Sequence, residues 1–136
     1  MKIVKVGLGT CGVAAGAEPV YKEFVSQMNT LGLDIQLIET GCMGMCYNEV
    51  LVEVIDEAQI SWLYSKVTPD KVKKIVSSHI QENMPVFDWI VNQKVDGTGD
   101  TFFDKQDKIV LRNCGVIDPT SIDDYINVGG YQAIQI

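Results

Sequence analysis

Basic residues are scarce in this chain. Eleven lysines and arginines stand against 18 aspartates and glutamates, with a single histidine, and the formal charge is −7. A protein that binds nucleic acid needs a cationic stripe to meet the phosphates. The densest basic group here is Lys71, Lys73 and Lys74, which reads as the wet face of a helix. Nucleic acid is therefore set aside as a partner. Long apolar runs are missing too: none approaches the ~20 residues that cross a bilayer, so no membrane insertion is expected. The opening Met1–Val6 is too short and too alternating for a secretory leader, and a cytoplasmic setting is the expectation. Thiols stay reduced there, so the four cysteines read as metal ligands, redox groups or small buried residues before they read as disulfides.

What is present suits one packed domain with a smaller attachment: 136 residues, of which 46% are hydrophobic. Residues 2–6 place isoleucine and valines around two lysines and predict a strand. The glycine-rich Gly7-Leu8-Gly9-Thr10-Cys11-Gly12 ends it. Glu18-Pro19 opens a helix, because proline in the first turn sacrifices no hydrogen bond. Val20, Phe24, Met28 and Leu31 line its apolar face, and Gly32 stops it. Residues 34–39 predict a second strand; 50–55 and 60–64 predict a hairpin. Thr68-Pro69-Asp70 then starts a helix with a hydroxyl cap and an early acid. Val72, Ile75, Val76, His79 and Ile80 share one side of it. The order β-α-β-β-α predicts an α/β mixed sheet with flanking helices, the order of a thioredoxin-like fold.

That first unit closes by about residue 82. Residues 83–100, turn-rich at Asp96-Gly97-Thr98-Gly99-Asp100, predict an extended linker anchored by Phe87 and Trp89. Ile109-Val110-Leu111 predicts a short strand. Asp118-Pro119 predicts a third helix through Ile122, Tyr125 and Ile126, stopped by Gly129-Gly130. With so little apolar mass, residues 101–136 are expected to lean on something else.

The chemistry concentrates in Thr40-Gly41-Cys42-Met43-Gly44-Met45-Cys46. Thiolates are soft ligands that suit iron and zinc. Glycines 41 and 44 leave room for a metal centre and expose backbone N–H groups to it. Parallel first and second strands would bring Cys11, beside Gly9, Thr10 and Gly12, to the same end of the sheet. Three readings stay open on spacing alone: a shared iron–sulfur site, a zinc site, or cysteines acting as small buried residues. A redox dithiol of the Cys-x-x-Cys kind is disfavoured by the three-residue spacing.

These residues carry a resemblance. Gly9-Thr10-Cys11-Gly12, Gly16-Ala17 and Thr40-Gly41-Cys42-x-Gly44-x-Cys46 resemble the thioredoxin-like [2Fe–2S] ferredoxin domain. The match is closest to the version at the N-terminus of the NADH-binding flavoprotein subunit of complex I relatives and NAD-linked hydrogenases. Phe102-Phe103-x-Lys105-Gln106, Leu111-Arg112-Asn113-Cys114-Gly115-x-Ile117-Asp118-Pro119 and Gly129-Gly130-Tyr131 resemble the opening of that subunit's flavin domain. The resemblance implies a one-electron carrier over residues 1–82, with Cys11, Cys42 and Cys46 as cluster ligands and Gly9, Thr10, Gly41 and Gly44 around them. It also implies a truncated flavin domain over 101–136, with FMN and NAD(H) bound only by what would follow, so the chain is not expected to oxidise NADH alone. The implied partners are other subunits of an NAD-linked oxidoreductase complex, and a homodimer through Trp62 or the loop methionines. The pattern departs at one place: the family has a cysteine five positions before the one matching Cys11, and Val6 stands there. The fourth ligand is thereby left open, and a cluster-free docking module is the alternative function.

Other residues have plainer readings. His79 is expected to be a partly buried helix residue favoured by the dipole, with metal ligation the rarer role. Trp62 and Tyr64 are expected to pack. Met43 and Met45 either shield a cluster or contact a partner.

Overall fold

A computed structural model describes residues 1–95 and 105–135. Five strands form one mixed sheet in the order β2-β1-β3-β4-β5: β1 (Lys2–Gly7), β2 (Ile35–Thr40), β3 (Val52–Ile55), β4 (Ser61–Tyr64) and β5 (Ile90–Lys94). β1 runs parallel to β2, as expected for strands joined through a helix, and the remaining pairs are antiparallel. The helices are α1 (Thr10–Ala14), α2 (Ala17–Leu31), α3 (Pro69–Lys74) and α4 (Ile122–Asn127).

Alternation along the strands divides the sheet into two unlike faces. Val4 and Val6 of β1, Val52 and Val54 of β3, and Trp62 and Tyr64 of β4 point to the side covered by α2 and α3. There they join Val20, Phe24, Val72, Ile75 and Val76 in the main core. The opposite face carries Lys5, Glu53, Leu63 and Asn92, which lie across from one another in register. Lys5 Nζ sits 3.4 Å from the Glu53 carboxylate. A small second core covers part of this face, made of Met45, Leu51 and Leu63 with Met43 packed against it.

The helix signals work largely as expected. Gly32 ends α2 in the left-handed conformation at φ 61°. The Thr68 hydroxyl accepts the Lys71 N–H at the start of α3. α2 begins at Ala17 after Gly16, earlier than Glu18-Pro19 suggested, and proline still falls in the first turn, where no partner is lost. Beyond Lys74 the helix widens into π-helical turns over Ile75–Gln81, which bury His79 and Ile80 together with Ile75 and Val76. Lys2 reaches across from β1 and donates to the carbonyls of His79 and Ile80 and to Asn83 Oδ1. Those carbonyls belong to the last helical turn, where intrahelical partners run out.

Three expectations are corrected. The stretch 83–100 is not linker throughout: Ile90–Lys94 adds β5 to the edge of β4. Ile109-Val110-Leu111 is a run of turns instead of a strand, with Ile109 79% and Val110 92% exposed. The last α-helix starts at Ile122, not Asp118. Ser121 caps it by accepting the Asp124 N–H, while Asp118 folds back on the Thr120 N–H and hydroxyl. Asp96–Asp100 and the Phe102-Phe103 pair lie outside the described residues. No helix among the described residues is long and apolar enough to cross a membrane.

Candidate metal centre

The site forms where β1 and β2 end side by side. Gly7 lies opposite Thr40 in the parallel register, and the Leu8 N–H donates to the Thr40 carbonyl at 2.8 Å. The two chains then diverge into the short helix α1, which carries Cys11, and into the loop 41–46. Gly9 decides how closely they approach. A Cβ there would stand 2.9 Å from the Cys42 nitrogen and 3.0 Å from its Cβ, so the loops meet only because that atom is missing. Gly12 plays the same part against the Gly7 carbonyl. Gly44 turns with φ at +89°, a conformation that costs a residue with a Cβ.

The result is a convergence of three thiols. The Sγ atoms of Cys11, Cys42 and Cys46 all lie within 4.8 Å of one another, and Cys42 Sγ is 3.7 Å from Cys46 Sγ. Cys11 and Cys46 are exposed and Cys42 is half-buried, so the triad opens at the surface. The Gly44 N–H donates to Cys42 Sγ at 3.3 Å. That bond favours the thiolate, but burial, the neighbouring Cys46 thiol and the Glu49 carboxylate outweigh it and push the Cys42 pKa up. A metal bound by Cys11, Cys42 and Cys46 would supply the compensating charge, since thiol ligands bind as thiolates and release their protons on loading.

Val6, at the place of the family's additional cysteine, is fully buried in the main core. Its side chain packs against the helices and not among the thiols. Cys114 is half-buried and stands outside the triad. Thr10 is the first residue of α1, and Gly41 faces Pro119 Cγ, with an added Cβ only 3.7 Å from it.

Several residues behave otherwise than the sequence suggested. His79 is not a ligand. It is 2% exposed, and its Nδ1 lies 2.8 Å from the Tyr64 hydroxyl, which also accepts the Val86 N–H. Burial pulls the His79 pKa down to about 4, so it is neutral and the helix dipole does not charge it. Trp62 is 8% exposed, edge-on to His79 and Phe87, and offers nothing to a second copy. Met45 is 2% exposed and belongs to the second core. Glu49 escaped notice in the sequence. It accepts the Leu51 N–H at 3.0 Å behind the site, and burial raises its pKa against the effect of that bond. One acid among 18 carries no signal of such a place.

The fold is thioredoxin-like, and it is shared with solved structures. A thioredoxin-like [2Fe–2S] ferredoxin from Aquifex aeolicus superimposes with a TM-score of 0.61 at 23% identity, covering 68% of this chain and 92% of that one. A second structure of the wild-type ferredoxin gives 0.60 at 24%, covering 67% and 96%. Two curated relatives are subunits of an NADP-reducing hydrogenase from Solidesulfovibrio fructosivorans. HndB is 25% identical over 85 residues, 62% of this chain and 68% of HndB. HndC is 60% identical over 30 residues, which are 22% of this chain and 6% of HndC. No family model matches the chain.

Proposed function

We propose that the chain is an electron-transfer module whose Cys11, Cys42 and Cys46 hold a [2Fe–2S] cluster within an NAD(P)-linked multisubunit hydrogenase or related oxidoreductase. The observation that carries this reading is the meeting of three soft thiols from two separate loops within 4.8 Å. The donor set fits. Thiolate sulfur is the usual protein ligand of such clusters, and Gly9 and Gly44 keep side chains out of the space around the sulfurs. The fit covers three of the four customary thiolates, and the fourth position falls to water, another ligand or a partner. When bound, the cluster supplies a one-electron carrier close to the surface.

The chain's own residues orient and shield. The Gly44 N–H holds Cys42 Sγ by a hydrogen bond of the kind that tunes such centres. Met43 and Met45, beside the cysteines in the loop, anchor it on Leu51 and Leu63 in the second core. The exposed edge at Cys11 and Cys46 gives an electron partner close approach. The hydrogenase setting is supported by the HndB and HndC likenesses; FMN and NAD(H) would be bound by the remainder of the flavin domain and not by these residues.

The second reading, a cluster-free docking module, is favoured by Val6 in the place of a ligand. Iron and acid-labile sulfide analysis after anaerobic reconstitution separates the two. The expected result is a brown protein with about two irons per chain, and loss of most of that iron in Cys42→Ser. Colourless protein with intact thiols would sink the electron-transfer reading.

A further inference from the structure

Residues 105–119 lie across the sheet face that α2 and α3 leave uncovered, and they rest on the thiol loop at Met43. A Cβ added to Gly115 would stand 3.0 Å from Met43 Cε, and the Lys108 ammonium donates to the Met43 carbonyl at 3.4 Å. The fit is incomplete. Between the segment and the sheet remains a cavity of about 370 Å³, within the ~300–1,000 Å³ range of small-molecule sites.

In charge, the lining of this cavity is unlike the rest of the chain. Four of the 11 basic side chains line it, Lys5 and Lys94 from the sheet and Lys108 and Arg112 from the segment. Glu53 is the one acid among its described lining residues, so the walls carry a formal charge of +3 in a chain of −7. That acid is already engaged. Lys5 Nζ lies 3.4 Å from its carboxylate, and the Ser61 hydroxyl donates to it. Lys108 uses one N–H on the Met43 carbonyl and keeps two more. Arg112 joins neither the Lys5–Glu53 pair nor the pair of the Met1 amine with Glu57. Cations gathered around a concave site repel one another, and the field they focus favours an anion. The floor is apolar instead. Met43 and the buried Met45 and Leu63 form it, and Val116 adds a wall from the segment.

From this lining we propose that the cavity binds a small organic phosphate, a phosphate monoester with an apolar body. The phosphate meets Lys108 and Arg112, whose planar guanidinium fork matches two phosphate oxygens. The body lies against Met43, Met45 and Leu63. A phosphate monoester carries about −1.5 to −2 charges at pH 7, which answers the surplus of cations better than one carboxylate does. Because the walls come from both the sheet and the segment, the bound ligand fastens residues 108–116 to the thiol loop. The inference needs neither a bound cluster nor the hydrogenase setting.

The test uses the full chain, reduced and free of iron, at low salt so that screening does not mask the site. Phenyl phosphate is the probe and methyl NMR the readout. Saturable shifts of the Met43, Met45, Leu63 and Val116 methyls are expected. Inorganic phosphate, which lacks the ring, should bind at least about tenfold more weakly. Benzyl alcohol, which lacks the charge, should shift none of these methyls. Arg112→Gln should weaken phenyl phosphate binding about tenfold. Lys73→Gln, the same charge change at an exposed position of α3, should leave it unchanged, and thermal unfolding verifies that both variants are folded. Absence of saturable shifts at these methyls up to about 10 mM probe overturns the proposal, as do equal losses in the two variants. Benzoate or inorganic phosphate binding as tightly as phenyl phosphate overturns the assigned ligand class. Iron content has no bearing on this readout, so the cavity and electron-transfer readings fail separately.

Discussion

At Gly9, a missing Cβ sets the distance between the two thiol loops. Its backbone is ordinary, with φ at −65°, so an alanine there is strained by space alone. The obstacle is the Cys42 backbone at 2.9 Å, which cannot swing aside as a long side chain would. Gly9→Ala should therefore push the loops apart by a few tenths of an ångström, destabilise the fold by about 1–3 kcal/mol and lower iron retained after reconstitution by more than half. Gly16 is the contrasting control. It has open space around it but φ at +97°, so Gly16→Ala should cost about 1–2 kcal/mol of stability and leave iron per folded chain unchanged. Equal iron losses in the two variants would mean that close approach is not what assembles the triad. The thiol positions themselves were legible in the sequence, because the Cys42/Cys46 spacing and the glycines around Cys11 stand out against an ordinary domain. Glu49 and the packing of Met45 were not, because an acid and a methionine acquire those places only from neighbours distant in the chain.

Among the elements, the helix from Pro69 to Gln81 shows how burial competes with local electrostatics. A helix C-terminus stabilises a charged histidine by roughly 0.3–1 kcal/mol. Moving the His79 pKa from 6.5 to about 4 corresponds to roughly 3 kcal/mol in the other direction, so burial wins and the ring stays neutral. The Tyr64 hydroxyl, its pKa raised to about 12 by burial, stays protonated and shares a hydrogen bond with Nδ1. Between pH 6.5 and 4 the unfolded chain takes a proton that the folded chain refuses. Stability is then complete above pH 6.5 and declines as pH falls through that window, by up to about 3 kcal/mol. Urea titrations at pH 7 and pH 4.5 should show the drop, and it should shrink by at least half in His79→Gln. The Lys2 ammonium, whose pKa burial lowers, ties β1 to the same helix end. Lys2→Met leaves two carbonyls of the last turn without that donor and should cost about 1–3 kcal/mol; an unchanged unfolding midpoint would show that water replaces it. Helix and strand identities here followed from period and caps. The exceptions were α1, whose residues 10–14 lie in a stretch too rich in glycine to signal a helix, β5, whose residues 90–94 lack a strict alternation and pair along the edge of β4, and the turns at 109–111.

For the whole molecule, the distribution of burial predicts two levels of stability. The main core draws on β1 to β4, α2, and α3 with its π-helical continuation, whereas among residues 105–134 Gly115 is the buried one. Amides of Ile122–Asn127 should exchange at least about a thousandfold faster than those of Val4 and Val54, because local opening there breaks few buried contacts. Comparable protection in both regions would show that the C-terminal segment shares the global unfolding unit. By itself the sequence determined the β-α-β-β-α order, the capped helices, the apolar faces and the cysteines worth watching, since period, caps and composition act over a few neighbouring residues. Only the tertiary structure decided that three thiols converge, that Val6 turns into the core, that His79 is buried against Tyr64, and that residues 105–119 rest on the Met43 loop. Those outcomes depend on the parallel register of β1 with β2 and on which sheet face is left open. They arise from contacts between residues far apart in the chain, which no local pattern encodes.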